Sequence, residues 1–289
     1  MHYHGNVFRP PSEAESLIIQ VTYGCSHNKC TFCYMYKGEP FHIRSVDEVI
    51  ESLSDIHPYY EKCRRIFLAD GDALIMKQAD LVRLLEYLQK RFPTCERVGI
   101  YASPRSILLK SPDELQQLKA LGLGIMYLGV ETGSDTILKN ICKGVTRAQM
   151  IEAGKKAKET GILLSITMIN GIGGKDLWEE HAVQTATISN EIQPDYIGLL
   201  NLRLYDNTEL TRQTERGEFI PLKPKELLDE TKLLLQNFNL KHTVFRSNHA
   251  SNYISLAGIL NQEKKRLLDQ LEESYAFVDH IAKIKPILL

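Results

Sequence analysis

Residues Ser16 to Gly38 read SLIIQVTYGCSHNKCTFCYMYKG. The first eight, Ser16 to Tyr23, are a β-branched and apolar run whose composition predicts a buried strand. That strand leads directly into Cys25, Cys30 and Cys33, spaced C-x4-C-x2-C. Three thiolates this close can hold three irons of a cubane [4Fe-4S] cluster and leave the fourth iron without a protein ligand. An iron left open in this way is a place for a small molecule to bind. The same residues have a second reading, because C-x2-C is also a zinc signature and His27 or His42 can complete a tetrahedral set.

Outward from this loop the chain alternates between strands and helices. Ser45-x-x-Glu48 is a capping box before a helix over Val46 to Ile56. Arg65 to Leu68 is a second strand, followed by Gln78 to Phe92 with Leu81, Leu84, Leu85 and Leu88 on one helical face. Arg97 to Ala102, Ile125 to Val130, Ile162 to Ile169 and Tyr196 to Leu202 are the next strands. Helices follow Ser111-Pro112-Asp113-Glu114 and Thr146-x-x-Gln149, and another runs over Asp176 to Asn190. Six such βα units predict an α/β fold, a parallel sheet curved into a partial (βα)6 barrel. After Arg203 the pattern loosens. Tyr205 to Pro224 reads as a long loop, Lys225 to Asn237 as a helix, Thr243 to Arg246 as a short strand or edge segment, and Lys264 to Ile281 as a terminal helix. The expected partition is a barrel core with its lead-in over 1–204 and a C-terminal extension over 205–289 packing on the same domain.

Composition narrows the class of function. The 289 residues are 43% hydrophobic with a formal net charge of −1, which gives no basic field for nucleic acid and argues against that partner. No apolar run approaches the roughly 20 residues needed to cross a bilayer, and the start MHYHG lacks the marks of a signal peptide. A cytoplasmic protein without a membrane partner is expected. Cys63, Cys95 and Cys142 stand far apart in the chain, read as buried small hydrophobes, and predict no second cluster.

Ligands of parallel α/β sheets gather at the C-terminal ends of the strands. Here those positions hold Asp70-Gly71-Asp72, Tyr101-Ala102-Ser103-Pro104-Arg105, Gly129-Val130-Glu131-Thr132-Gly133-Ser134-Asp135 with Lys143, and Asn170-Gly171-Ile172-Gly173-Gly174. Together with the cysteine loop they resemble the radical S-adenosylmethionine superfamily, over about Ser16 to Leu204. Within it the glutamate segment and Pro104-Arg105 look like the branch of the oxygen-independent coproporphyrinogen oxidases and the methylthiotransferases. The match has departures. The commonest superfamily loop is C-x3-C-x2-C, Asp72 stands where a Gly-Gly-Glu turn has its glutamate, and Tyr101 and Ser103 stand where the coproporphyrinogen oxidases have carboxylates.

The resemblance implies that Cys25, Cys30 and Cys33 ligate the cluster and that the methionine end of S-adenosylmethionine chelates the open iron. It places Gly71 and Asp72 at the methionine ammonium, Lys143 at the methionine carboxylate and Glu131 at the ribose hydroxyls. It adds Phe32, Ser103, Ser134 and Thr167 as further cofactor contacts. Tyr101, Arg203, Tyr205, Arg246 and His249 are the candidate catalytic and substrate-site residues, whereas His181, beside Glu179 and Glu180, reads as solvated. The implied chemistry starts with one electron from ferredoxin or flavodoxin, since cluster potentials span roughly −700 to +450 mV and this use needs the low end. Reductive cleavage of S-adenosylmethionine then gives a 5'-deoxyadenosyl radical that takes hydrogen from a small-molecule substrate, under anaerobic conditions. A radical enzyme acting on RNA or protein, and a zinc-stabilised binding protein without catalysis, are the alternatives.

Overall fold

The computed structural model describes residues 3–54 and 56–284. They divide into two compact units. One takes the chain through Asn28, Met35–Leu128 and Glu152–Leu164; the other takes Lys29–Tyr34, Gly129–Ile151 and the chain from Ser165 on.

In the first unit β1 (Leu17–Gln20) opens a parallel ladder. The single strand expected over Ser16 to Tyr23 is split at Val21. Beyond it β2 (Thr22–Tyr23) pairs antiparallel with β3 (His42–Ile43), the return arm of the cysteine loop. Arg44 enforces the split: its backbone N–H donates to Val21 O at 3.0 Å and its guanidinium to Gln20 O at 2.8 Å. Next in the ladder are β4 (Arg65–Ala69), β5 (Arg97–Ala102) and β6 (Leu123–Glu131), each parallel to its neighbour. Ile66, Phe67, Leu68 and Ala69 are all buried, so both faces of β4 are covered, as parallel sheets require. Helix α1 (Val46–Ser52) begins at the Ser45 capping box and stops short of the expected Ile56; residue 55 of that reading lies outside the described residues. Helix α2 (Gln78–Arg91) buries the four leucines its periodicity singled out and packs on α1. The expected helix α4 (Pro112–Ala120) is preceded by an unexpected one, α3 (Pro104–Leu109), which starts at Ser103.

The second unit begins with the last residues of β6 and α5 (Asp135–Asn140); α6 (Arg147–Glu159) starts in it and ends in the first. Strands β7 (Leu163–Asn170), β8 (Tyr196–Asn201) and β9 (Val244–Ser247) run parallel, and β10 (Leu256–Ile259) closes the order antiparallel to β9. The segment around Thr243 is therefore an interior strand with neighbours on both sides, and the extension adds two strands to the six expected. Helix α7 (Gly174–Ile192) packs on α9 (Pro224–Asn237), and its buried side chains include the small residues Ala182, Thr185, Ala186 and Ser189. The expected loop over Tyr205 to Pro224 contains α8 (Glu209–Glu215), capped by Thr208. The terminal helix is two helices, α10 (Lys264–Ser274) and α11 (Val278–Ile284). Among the described residues no helix is long and apolar enough to cross a membrane.

Candidate functional site

Cys25 and the turn after β4 are pressed together in the first unit. A Cβ on Gly71 would lie 2.5 Å from Gly24 O and 2.8 Å from Cys25 Cα, so only glycine fits this approach. The Gly71 N–H donates to the Tyr36 hydroxyl at 3.1 Å. That hydroxyl donates in turn to Asp70 Oδ1 at 3.1 Å, and Gln20 Nε2 donates to Asp70 Oδ2 at 2.7 Å. Burial raises the Asp70 carboxyl above its ordinary range despite these donors, and burial, then Asp70, pushes the Tyr36 phenol up strongly.

Asp72 is fully buried and ties the cysteine loop to the end of β5. Its carboxylate accepts from Ser26 Oγ at 2.6 Å, Ser103 Oγ at 2.8 Å and Ser103 N at 3.1 Å. Ser103 also caps α3, its Oγ accepting from Ser106 N at 3.0 Å. Both residues, expected at the cofactor, have structural partners. Asp72→Ala removes three hydrogen bonds, but Ser103 N and Oγ keep Ser106 Oγ as an acceptor at 2.9 and 3.2 Å, so it should lower stability by about 2 kcal/mol, read as a shift in the urea midpoint at unchanged slope; a loss under about 0.5 kcal/mol would show that the tie is weak. Tyr101 meets the Phe67 ring edge-on at 4.9 Å, and burial, then Asp70, raises its phenol well beyond the ordinary value.

The rest of the cysteine loop is fastened within the second unit. Thr31 N donates to Ile141 O and Thr31 O accepts from Leu210 N, both at 3.0 Å. Phe32 packs against Ile137, Ile141, Ile172 and Leu210, which makes it an apolar anchor for the Cys30–Cys33 segment. Tyr34, one residue past Cys33, stacks on Tyr205 with ring centroids 3.7 Å apart. Burial pushes the Tyr34 phenol up to about 12, helped by its hydrogen bond to Tyr205 and by Cys33, while Arg203 acts in the opposite sense. Arg203 also joins burial in holding the His249 imidazole below its ordinary value. His249 Nδ1 accepts from Ser251 N at 3.1 Å, which leaves Nε2 to carry the proton of the neutral ring.

Arg203, Tyr205 and His249 therefore share an environment with Tyr34, the aromatic residue that adjoins the last cysteine. Arg246 is not placed with them: it is exposed and lies over the Tyr196 ring, toward the start of β8.

Glu131 and Lys143, assigned to different ends of the cofactor, are partners. Lys143 Nζ lies 2.8 Å from Glu131 Oε1, and both side chains are mostly buried. Glu131 adopts φ +63, which turns its carboxylate back over Gly129; a Cβ there would collide with it. Ser134 caps α5 and donates to Glu180 Oε1. Thr167 is half-buried in β7, in register with Gly198.

Two expectations are corrected. Cys142 is exposed, because α5 ends at Asn140 with Ile141 as its C-cap and the following residue turns out with φ +53; Cys63 and Cys95 are half-buried. His181 is 1% exposed, not solvated, because α9 covers that face of α7. Its Nδ1 is 2.9 Å from Thr132 Oγ1 and its Nε2 3.6 Å from Glu230 Oε1. Burial holds the imidazole down to about 3.

That shift has a direction in pH. Below the ordinary histidine value of 6.5 the unfolded chain takes up a proton that folded His181 refuses. Relative to a His181→Gln variant, the wild type should lose about 1.4 kcal/mol of stability per pH unit as pH falls from 6.5 toward 3, measured by urea unfolding at each pH. Parallel curves for the two proteins would place the imidazole in contact with water.

The chemistry of the donor set bears on what the loop can hold. All three loop cysteines are half-buried and outside any disulfide, and Cys30 and Cys33 flank the segment fastened at Thr31. Among the described residues no three His, Cys, Asp or Glu side chains already converge as a closed metal cage. His42, one candidate for a fourth zinc ligand, is stacked on Tyr23 at 5.7 Å. Three thiolates at this spacing fit a cluster that keeps one iron open.

The model of the radical SAM superfamily matches residues 19–186, more than half of the chain. Two proteins of Methanocaldococcus jannaschii are similar in sequence. A candidate methylthiotransferase is 26% identical over 159 residues, 53% of this chain and 35% of its own length. A tRNA uridine(34) acetyltransferase is 26% identical over 117 residues, 40% of this chain and 22% of its own length. This chain thus spans well under half of either relative. Coproporphyrinogen III oxidase from Escherichia coli shares the fold with a TM-score of 0.56 at 18% identity, over 76% of this chain and 52% of that one. With the α/β partial-barrel architecture, the cysteine loop and a matched segment that runs from β1 into α7, the chain belongs to the radical S-adenosylmethionine superfamily, whose cofactors are a [4Fe-4S] cluster and S-adenosylmethionine.

Proposed function

We propose that this chain is a radical S-adenosylmethionine enzyme that abstracts hydrogen from a small-molecule substrate. The observation that carries the reading is the set of three half-buried thiols, none in a disulfide, at C-x4-C-x2-C, with Thr31 fastened through both its N–H and its C=O. Cys25, Cys30 and Cys33 would hold the cluster, and a bound cluster supplies the single electron that cleaves S-adenosylmethionine, drawn from a low-potential donor of the ferredoxin or flavodoxin kind. The chain's own work is placement. Gly71 gives the turn after β4 room beside Cys25, and the Glu131–Lys143 pair offers a carboxylate and an ammonium, groups suited to ribose hydroxyls and to a methionine carboxylate. Tyr34, Arg203, Tyr205 and His249 are the proposed substrate-facing group, with Arg203 the cation that would receive an anionic substrate.

One observation favours a second reading, an RNA substrate: the similarity to a tRNA uridine(34) acetyltransferase. Against it stands the net charge of −1. Anaerobic reconstitution followed by dithionite and S-adenosylmethionine tests the first reading. It expects about four irons per chain and slow formation of 5'-deoxyadenosine; one zinc without iron or cleavage would overturn it in favour of a structural site. A salt-dependent mobility shift on mixed tRNA would move the substrate to RNA.

A further inference from the structure

His181 and Glu230 are a buried acid–imidazole pair that the proposed chemistry does not use. Their side chains are 1% and 0% exposed, and Nε2 and Oε1 face each other at 3.6 Å, just beyond hydrogen-bond length, neither with a hydrogen-bond partner among the described residues. Each residue is anchored on its far side to a strand-end turn. Glu230 Oε2 accepts from Gly171 N at 2.5 Å, just past β7. His181 Nδ1 lies 2.9 Å from Thr132 Oγ1, just past β6, and the neighbouring Gly133 N donates to Thr185 Oγ1 at 2.9 Å, one turn along α7.

We propose that Glu230 is protonated on the oxygen that faces His181 Nε2, so that a slight closure of the 3.6 Å gap makes the two a hydrogen-bonded neutral pair, and that this pair is a positioning device that fixes the Gly171 turn relative to the Thr132–Gly133 turn. The positioning role rests on the proposed function, with S-adenosylmethionine bound at the strand ends that these two turns follow. The proton assignment follows from the geometry. Oε2 is occupied as an acceptor by Gly171, so the acid proton belongs on Oε1 and points at Nε2. The imidazole then carries its own proton on Nδ1 and donates to Thr132 Oγ1.

An ionised Glu230 would be a carboxylate sealed from water with one N–H for company, and a charged His181 would be no better placed. The charged groups of the surrounding elements are engaged elsewhere. Lys175 pairs with Glu226 at 3.1 Å, Glu180 accepts from Ser134, Glu131 pairs with Lys143, Lys232 with Glu272, and Asp229 accepts from Tyr275. Burial acts alone on His181, and on Glu230 it is opposed by the Gly171 N–H, so the acid is raised and the base lowered and both stay neutral.

Glu230→Gln separates this from an ionised or merely space-filling pair, because an amide can accept from Gly171 and donate to Nε2 just as the neutral acid does. Glu230→Leu keeps volume and removes both bonds. The first readout is the infrared carbonyl band of a protonated carboxylic acid at neutral pH, taken on protein without cluster or S-adenosylmethionine; it should be present in the wild type and absent in Glu230→Gln. The second is the dissociation constant of S-adenosylmethionine on reconstituted, unreduced protein. Glu230→Gln should stay within about threefold of wild type, and Glu230→Leu should weaken binding by roughly tenfold at unchanged iron content. Should Glu230→Leu not fold, His181→Phe makes the same comparison with the ring volume kept. An unchanged infrared spectrum, or a Glu230→Gln protein as weak as Glu230→Leu, overturns the neutral pair; unchanged affinity in the apolar variants overturns its positioning role. A wild type that shows the band yet binds no S-adenosylmethionine overturns the proposed function, and the positioning role with it, while the protonated pair stands.

Discussion

Cys30→Ala should abolish both cluster loading and 5'-deoxyadenosine formation while leaving the fold in place. Two thiolates cannot hold the three irons that C-x4-C-x2-C is spaced for. The fold should survive because the loop at this point is held by backbone and by a neighbour's ring: Thr31 bonds to Ile141 and Leu210 through its own peptide groups, and Phe32 fills the apolar cluster of Ile137, Ile172 and Leu210. The expected loss of S-adenosylmethionine cleavage exceeds the roughly 100-fold reached by outer-shell changes at metal sites. The measurement is iron, sulfide and 5'-deoxyadenosine on the anaerobically reconstituted variant, beside an unfolding curve that matches wild type. Full loading with retained cleavage would show that Cys30 is no ligand. Loss of folding as well would mean that the thiol, and not Thr31 and Phe32, holds the loop.

Gly71→Ala should be strongly disruptive although it removes no charged or metal-binding group. The atoms a methyl group would meet are Gly24 O at 2.5 Å and Cys25 Cα at 2.8 Å, which are backbone and cannot rotate aside. Either the turn after β4 or the Cys25 backbone must move. Overpacking of this kind costs about 3 kcal/mol at the upper end of its usual range, and displacement of Cys25 should reduce iron content in the same sample. Gly198→Ala is the control. Its nearest neighbour would be 3.8 Å away, and the change should stay within about 0.5 kcal/mol. Equal, small effects at the two positions would mean that the approach at Gly71 is looser than the structure has it.

These two experiments fall on opposite sides of what a one-dimensional reading can reach. Cys30 was legible because its meaning is carried by residues three and five positions away. The Ser45 and Ser111 capping boxes, the leucine face of α2 and the alternation of strands with helices are equally local, so the α/β class and five of the strand ends could be read from short windows of the chain. The short elements escaped for the converse reason. Helix α8 buries only Leu210, and β10 exists because β9 offers it an edge, so neither has a periodic signal of its own.

The site's electrostatics lay further out of reach. In the sequence, Asp72 looked like a cofactor ligand, and what binds its carboxylate, Ser26 and Ser103, lies dozens of residues away on either side. Lys143 gave no sign that its counter-ion is Glu131, since that depends on the left-handed turn that brings the carboxylate back over Gly129. His181 beside Glu179 and Glu180 had the pattern of a solvated helix face, and only the packing of α9 made it a buried base opposite Glu230. Local sequence alone determined the strands, the helix starts and the three thiols, because backbone propensity, capping and ligand spacing act over a few residues. The tertiary structure decided which polar groups are dry and whom they face, because burial and pairing are set by chain segments that meet only after folding.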